Sequence, residues 1–330
     1  MKIRPRLALY LFLTWTLVYL GATGCGGGNP NPPAQPITLL YVLDTFHKAV
    51  FVVDHIDTVD GAVDPSRTIT GDKTLITNPT SIAVDNRRDI LYVGDATEQA
   101  VLVFAPASQE DGDVAPNRQI PASGNIQAMT LDETNNRLYV FNATLQAVQV
   151  WNHASTVNGT PPDNTFTIGF LASSLFIDNQ RDILYVGDPI AMAIQAFAQA
   201  STTIGNAVPA ATITNDVTPF DRINSLSMNV PNNFLFMANS LGPLVNVYDK
   251  ASQLNGSVEP IRLLEGDQTT LSSNMNYLKF LNNILYVNNN FTQIAIWNNA
   301  NSVNGNVPPD RLLTVNGSMN IIAFDIDLQH

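Results

Sequence analysis

Residues 178–188 (DNQRDILYVGD) recur almost unchanged at 85–95, with ten of eleven residues the same. Looser copies centre on Tyr41, Tyr139, Phe236 and Tyr286. With Tyr92 and Tyr185 they make six, spaced 51, 47, 46, 51 and 50 residues apart. A unit of this length built from short strands cannot bury its apolar face alone and must pack against copies of itself. The solution that leaves no long open edge is a ring of radial blades. The chain is therefore read as all-β, a six-bladed β-propeller. A length of 330 residues alone would suggest two domains, but the repeat fills 37–330 as one body.

Each unit holds four strand-like runs. The first is apolar and ends in an acid or amide, as at 81–85 (SIAVD), 128–132 (AMTLD), 175–178 (LFID) and 226–229 (LSMN). The second is the Leu-Tyr-Val anchor. The third alternates and ends in an aromatic residue, as at 101–104 (VLVF), 148–151 (VQVW), 245–248 (VNVY) and 294–297 (IAIW). A glycine with proline four residues on separates third from fourth runs at Gly61/Pro65, Gly112/Pro116, Gly205/Pro209, Gly256/Pro260 and Gly305/Pro309. Glycine permits a left-handed turn there, and proline begins an outer strand that needs no further partner. Arginine follows that proline by two at Arg67, Arg118, Arg262 and Arg311.

The two ends complement each other. The first unit begins directly on an anchor run at 37–41, while 318–325 (SMNIIAFD) reads as a first strand with no blade of its own. That strand is predicted to pair into blade one and close the ring. The arrangement resembles six-bladed NHL-type propellers and, more distantly, the regucalcin/gluconolactonase group, over about residues 37–328. The Tyr-Val-x-Asp/Asn step and the aromatic third run carry the resemblance. It implies the fold, and it leaves activity open, because the fold hosts binders, lyases and hydrolases.

Ahead of the repeat, Lys2, Arg4 and Arg6 precede an apolar run at 7–20, followed by small residues and the chain's single cysteine, Cys25. These are the regions of a secretory signal. Residues 22–25 (ATGC) resemble a bacterial lipobox, with Ala22 where leucine is usual. The resemblance implies cleavage after residue 24 and acylation of Cys25. Residues 25–36 then form a lipidated cysteine and a Gly/Pro-rich tether. The implied address is the cell envelope, and the outer membrane in a Gram-negative cell.

A net charge of −12 with no basic patch sets nucleic acid aside as a partner. A lone cysteine excludes an intrachain disulfide and a thiolate metal site. A monomer is expected.

Two groups of residues are candidate sites. The ring Asp44, Asp95, Asn142, Asp188, Asn239 and Asn289 ends the anchor runs. Its recurrence in every blade points to turn capping, against a reading as a cation-binding face. The loops entering the first runs vary most, and there Asp72, Asn78, Asn125, Asp216, Phe220, Asp221, Arg222, Asp267 and Asn274 form a candidate ligand face. The acidic turns at 57–61 and 110–113 only faintly resemble calcium loops. The first-run cores at 80–84, 127–131, 173–177, 224–228, 275–278 and 320–324 contain no Asp, Glu or His. The favoured function is thus a lipid-anchored module that binds a protein, peptide or glycan. The alternative is a metal-dependent lactonase or hydrolase using loop residues at the channel mouth. No cofactor is predicted, though a divalent cation has room.

Overall fold

The anchor motif places apolar residues on both faces of its strand, and both faces are covered. A computed structural model describes residues 37–216, 220, 223–239 and 242–330. Cys25, the leader and the tether lie outside them, as do Asp221 and Arg222. The strands form six sheets, one per repeat, whose four main strands are antiparallel and run from the channel outward in the order of the four runs, the chain's last strand serving as the first run of blade one. Blade two is typical: Pro79–Asp85 innermost, then Ile90–Asp95, Ala100–Phe104 and Arg118–Pro121. Among the described residues, helix is confined to four short 3-10 turns.

Six apolar clusters form the core, one between each pair of neighbouring blades. The third run of blade two shows how alternation builds them. Val101 and Val103 pack toward blade three, while Leu102 and Phe104 pack toward blade one. The anchor aromatics Tyr41, Tyr92, Tyr139, Tyr185, Phe236 and Tyr286 are all fully buried or nearly so. Each faces the following blade, so the commonest motif residue is a core residue.

The ring closes as the sequence leads one to expect. Ile321–Asp327 pairs antiparallel with Leu39–Asp44 as the inner strand of blade one. Closure has two further elements. Gly61–Val63 lies parallel on Arg311–Val315, the outer strand of blade six, and Arg311 Nη1 donates to the Ile56 and Val59 carbonyls.

That arrangement repeats around the ring and explains the glycine motif. Gly61, Gly112, Gly159, Gly205, Gly256 and Gly305 all have φ between 66 and 78°, and a Cβ at each would meet nothing. Backbone conformation, not space, requires glycine. At all but Gly205, which follows Ile204, the polar residue before the glycine reaches back to the outer strand of the preceding blade. Asp60 accepts from Leu312 N, Asp111 from Thr68 N, Asn255 from Thr212 N and Asn304 from Leu263 N, at 2.9 to 3.0 Å. The two turns that faintly resemble calcium loops use their acids in this way. The arginines complete the latch: Arg118 Nη1, for example, donates to the Val157 carbonyl at 2.6 Å in the next blade.

A second latch escaped the sequence reading. In blades two to five the residue before the anchor run caps an Ala-Ser step after the third run. Asp89 accepts from Ser108 N and Oγ, and Asp182 likewise from Ser201. Asn136 and Asn233 accept from Ser155 N and Ser252 N and donate through Nδ2 to the serine Oγ. In blade one the polarity is exchanged: Thr38 Oγ donates to Asp57.

Candidate functional site: the central channel and its mouth

The inner strands have a free edge, and six such edges enclose a cavity of about 380 Å³. Register fixes which residues share a level. Opposite the anchor aromatics stand Asp325, Ala83, Thr130, Phe176, Ser227 and Lys279, taking blades one to six in turn. This mid-channel level therefore holds an acid and a base on adjacent blades. Lys279 Nζ lies 2.8 Å from Asp325 Oδ1, and Asp325 Oδ2 accepts from Val84 N at 3.0 Å. One carboxylate thus ties blades six, one and two together.

Glu133 and Tyr277 flank the pair. Burial opposes charge on Lys279, but Asp325, Tyr277 and Glu133 outweigh it and hold the ammonium charged. Burial raises the Glu133 carboxyl above its usual range, against the pull of Lys279 and a bond from Asn86 Nδ2 at 3.3 Å. Burial likewise pushes the Tyr277 hydroxyl up to about 12, and its ring packs edge-on against Phe324 at 5.2 Å.

The first-run cores 275–278 and 320–324 hold no Asp, Glu or His, and the channel charges lie one residue beyond them, at Lys279 and Asp325. The acid that ends the closing strand is Asp327, paired with Leu39, so Asp325 sits two residues inside. In blade six the turn between first and second strands is only Asn282-Asn283, both with positive φ. That shorter turn moves the inner strand to Leu278–Leu281 and brings Lys279 opposite Tyr286.

Above this level the wall is uncharged. In four blades a register shift leaves one extra residue in the inner strand, at Thr80, Gln127, Asn224 and Ile322. Such bulges re-aim side chains, and all four line the cavity together with Ser173 and Asn276. Just below, Ser81 and Ser174 are 7 and 8 % exposed, and neither Oγ has a hydrogen-bond partner among the described residues. Gly94 and Gly187 make room for them: a Cβ at either would come within 2.7 Å of the serine Oγ. That close approach accounts for glycine in the two best-preserved anchors.

The ring at the ends of the anchor runs is buried and bonded locally. Asp95 accepts from Thr77 N and Asn78 N at 2.7 Å, and also from Thr97 N. Asp44 accepts from His47 N, Met319 N and Asn320 N, bonds that hold its carboxyl below the usual range despite burial. Asn142 and Asn289 donate to the Ala122 and Thr270 carbonyls, and Asp188 accepts from Ile190 N and Ala191 N. Asn239 is buried at the equivalent position. Each joins its own turn or ties it to the neighbouring loop.

The seven described loop candidates are not brought together at the cavity. Asp72 and Asp267 open exposed turns on the rim, where neighbouring Lys73 N and Gln268 N are held by Asp113 and Asn306 of the next blade. Asn78, Asn125 and Asp216 are exposed, and Asn274 is half-buried. None of these six lines the cavity. Phe220 is buried, packs edge-on against Tyr248 at 6.2 Å and belongs to the core between blades four and five. Asp221 and Arg222 fall outside the described residues.

No family model matches this chain, and no curated protein sequence does. Many solved structures do. One chain of a crystal structure of a nidogen/laminin complex superposes with a TM-score of 0.61 over 88 % of this chain and 98 % of that one, at 14 % identity. Likeness at that identity establishes the propeller fold.

A three-residue cluster on the opposite end completes the inventory. Asp89, Asp327 and His330 bring ligand atoms within 4.8 Å of one another. His330 Nδ1 meets Asp327 at 2.9 Å, three residues apart, as Arg88 meets Asp85 and Arg181 meets Asp178. The pairing is the repeat's own turn cap.

Proposed function

We propose that this protein is a cell-envelope binding module, held to a membrane through an acylated Cys25 and presenting one end of a rigid propeller to a protein, peptide or glycan. The observation that carries the reading is the closed and internally latched ring, whose mouth offers uncharged donors and acceptors while its mid-channel charges pair with each other. Such a site selects by shape and hydrogen bonding. The anchor reading rests on the lipobox-like residues 22–25 and on the position of the only cysteine. Cell fractionation and mass spectrometry of the amino-terminal peptide test it. The mature chain should begin at an acylated Cys25, and Cys25→Ser should release it to the soluble fraction. An unacylated amino terminus elsewhere would remove the anchor.

A second reading is favoured by Lys279, Asp325, Glu133 and Tyr277 sharing one channel. It is a hydrolase or lactonase that uses a divalent cation held by the two carboxylates. A thermal melt in chelator and then in calcium, magnesium, manganese or zinc separates the two. A cation at 100 times its dissociation constant adds about 2.7 kcal/mol to folding. A saturable rise with one cation would favour the enzyme, and a flat response would favour the binding module.

A further inference from the structure

The acid that ends an inner strand is balanced differently from blade to blade. Asp85 and Asp178 each pair with an arginine three residues on, Arg88 at 2.7 Å and Arg181 at 2.8 Å. Asp132 has Asn135 at that position, and its Nδ2 donates to the carboxylate at 2.7 Å. In the closing strand the acid is Asp327 and the residue three on is His330, whose Nδ1 lies 2.9 Å from Asp327 Oδ2. An imidazole differs from arginine and asparagine there. Its Nδ1 either carries a proton and donates, or turns a lone pair toward the carboxylate and calls for a cation between them.

A second acid stands across the junction. Asp89 of blade two brings a ligand atom within 4.8 Å of those of Asp327 and His330. Among the described residues no other three His, Cys, Asp or Glu side chains gather so closely. The Tyr41 hydroxyl is a neighbour of both acids. Tyr41 is fully buried, and its hydroxyl has no well-directed hydrogen bond among the described residues, although Arg67 is close. Burial raises that hydroxyl, Arg67 opposes the rise, and Asp327 and Asp89 add to it. The Tyr92 hydroxyl also lacks a partner, but one acid, Asp85, and two arginines, Arg118 and Arg88, bear on it. The balance of charge is reversed where the ring closes.

We propose that Asp89, Asp327 and a neutral His330 bind a divalent transition metal, which clasps the closing strand to blade two. Two carboxylate oxygens and one imidazole nitrogen suit zinc, and zinc binds such donors more tightly than manganese. Ligand bonds of about 2.0–2.2 Å place neighbouring ligand atoms roughly 3–3.5 Å apart. Rotation of the solvent-exposed His330 shortens its share of the remaining distance. Tyr41 supplies a buried hydroxyl beside the carboxylates, the kind of neighbour that holds metal ligands in place. The site does not depend on either reading of the channel. Glu133 and Asp325, the carboxylates of the hydrolase reading, take no part in it.

The test strips the full chain, in uncharged detergent micelles, with chelator and titrates it with zinc chloride by calorimetry. One equivalent should bind, with a saturable rise in melting temperature. Asp89→Asn removes a ligand and keeps the turn, because Asn136 and Asn233 cap the equivalent serines in blades three and five. That variant and His330→Ala should each weaken zinc binding at least tenfold, the loss that even indirect metal contacts produce. Glu133→Gln should bind zinc as the parent does. Absence of zinc binding, or binding as tight as the parent's in Asp89→Asn and His330→Ala, would overturn the site. Loss of binding in Glu133→Gln alone would also overturn it and move the ion to the channel.

Discussion

Lys279 Nζ lies 2.8 Å from Asp325 Oδ1, joining the sixth blade to the strand that completes the first. Asp325 also accepts the Val84 amide of the second blade. Asp325→Ala removes both bonds and leaves a mostly buried ammonium with only Glu133 nearby. The expected loss is about 2–3 kcal/mol by urea denaturation, toward the low side of a broken buried pair because Lys279 keeps some solvent. Lys279→Met combined with Asp325→Leu should recover part of that loss. A double variant less stable than Asp325→Ala would show that the charges hold more than each other.

Arginine and tyrosine share a register line in blades one, two and six, as Tyr41–Val52–Arg67 illustrates. Blade five keeps Arg262 but has Phe236 on that line. Its Nη2 is buried without a partner among the described residues, although the guanidinium stacks on Phe234 at 5.2 Å. Phe236→Tyr should therefore stabilise the ring by about 1 kcal/mol, the net value of one added hydrogen bond. A fall in melting temperature would mean that the site has no space for the hydroxyl.

Burial raises the hydroxyls of Tyr41, Tyr92, Tyr139, Tyr185 and Tyr248 well above the usual tyrosine range. Above pH ~10 the unfolded chain sheds these protons while the folded chain keeps them. The folded state then binds more protons than the unfolded, so stability falls as pH rises. Alkaline titration should show buried tyrosinate absorbance appearing together with loss of β circular dichroism. Tyrosinate formation well before unfolding would contradict the burial of the anchor residues.

Removing residues 318–330 deletes the inner strand of blade one, the Met319 and Asn320 amides bound by Asp44, and Ile321, Phe324 and Ile326 from the core between blades six and one. The whole ring should lose stability in one cooperative step, by calorimetry or amide exchange. Fraying limited to blade one, with the other five blades unchanged, would show that closure contributes little.

The blade count, strand order and closing strand were legible in the sequence because each rests on a residue type with a backbone or core reason to recur. Glycines at φ near 70° and the buried tyrosines are the clearest cases. The mid-channel pair was not. In the closing strand, Asp325 and Asp327 differ by one strand period, so both fit the end of a first run. In blade six, the two-residue turn at Asn282 replaces a four-residue one and shifts the register. Phe220 reads as a loop residue because its neighbours in sequence are polar, whereas its ring fills the core beside Tyr248.

Photo-cross-linking in intact cells tests the central claim most directly. A benzophenone side chain is placed at the exposed Ile190 or Met319 on the end that carries the channel mouth, and separately at the exposed Gln180 on the opposite end. The expected result is one discrete adduct from each of the first two positions and none from Gln180. Equal adducts from both ends, or none from the mouth end, would contradict the account of a propeller that presents one face to a partner.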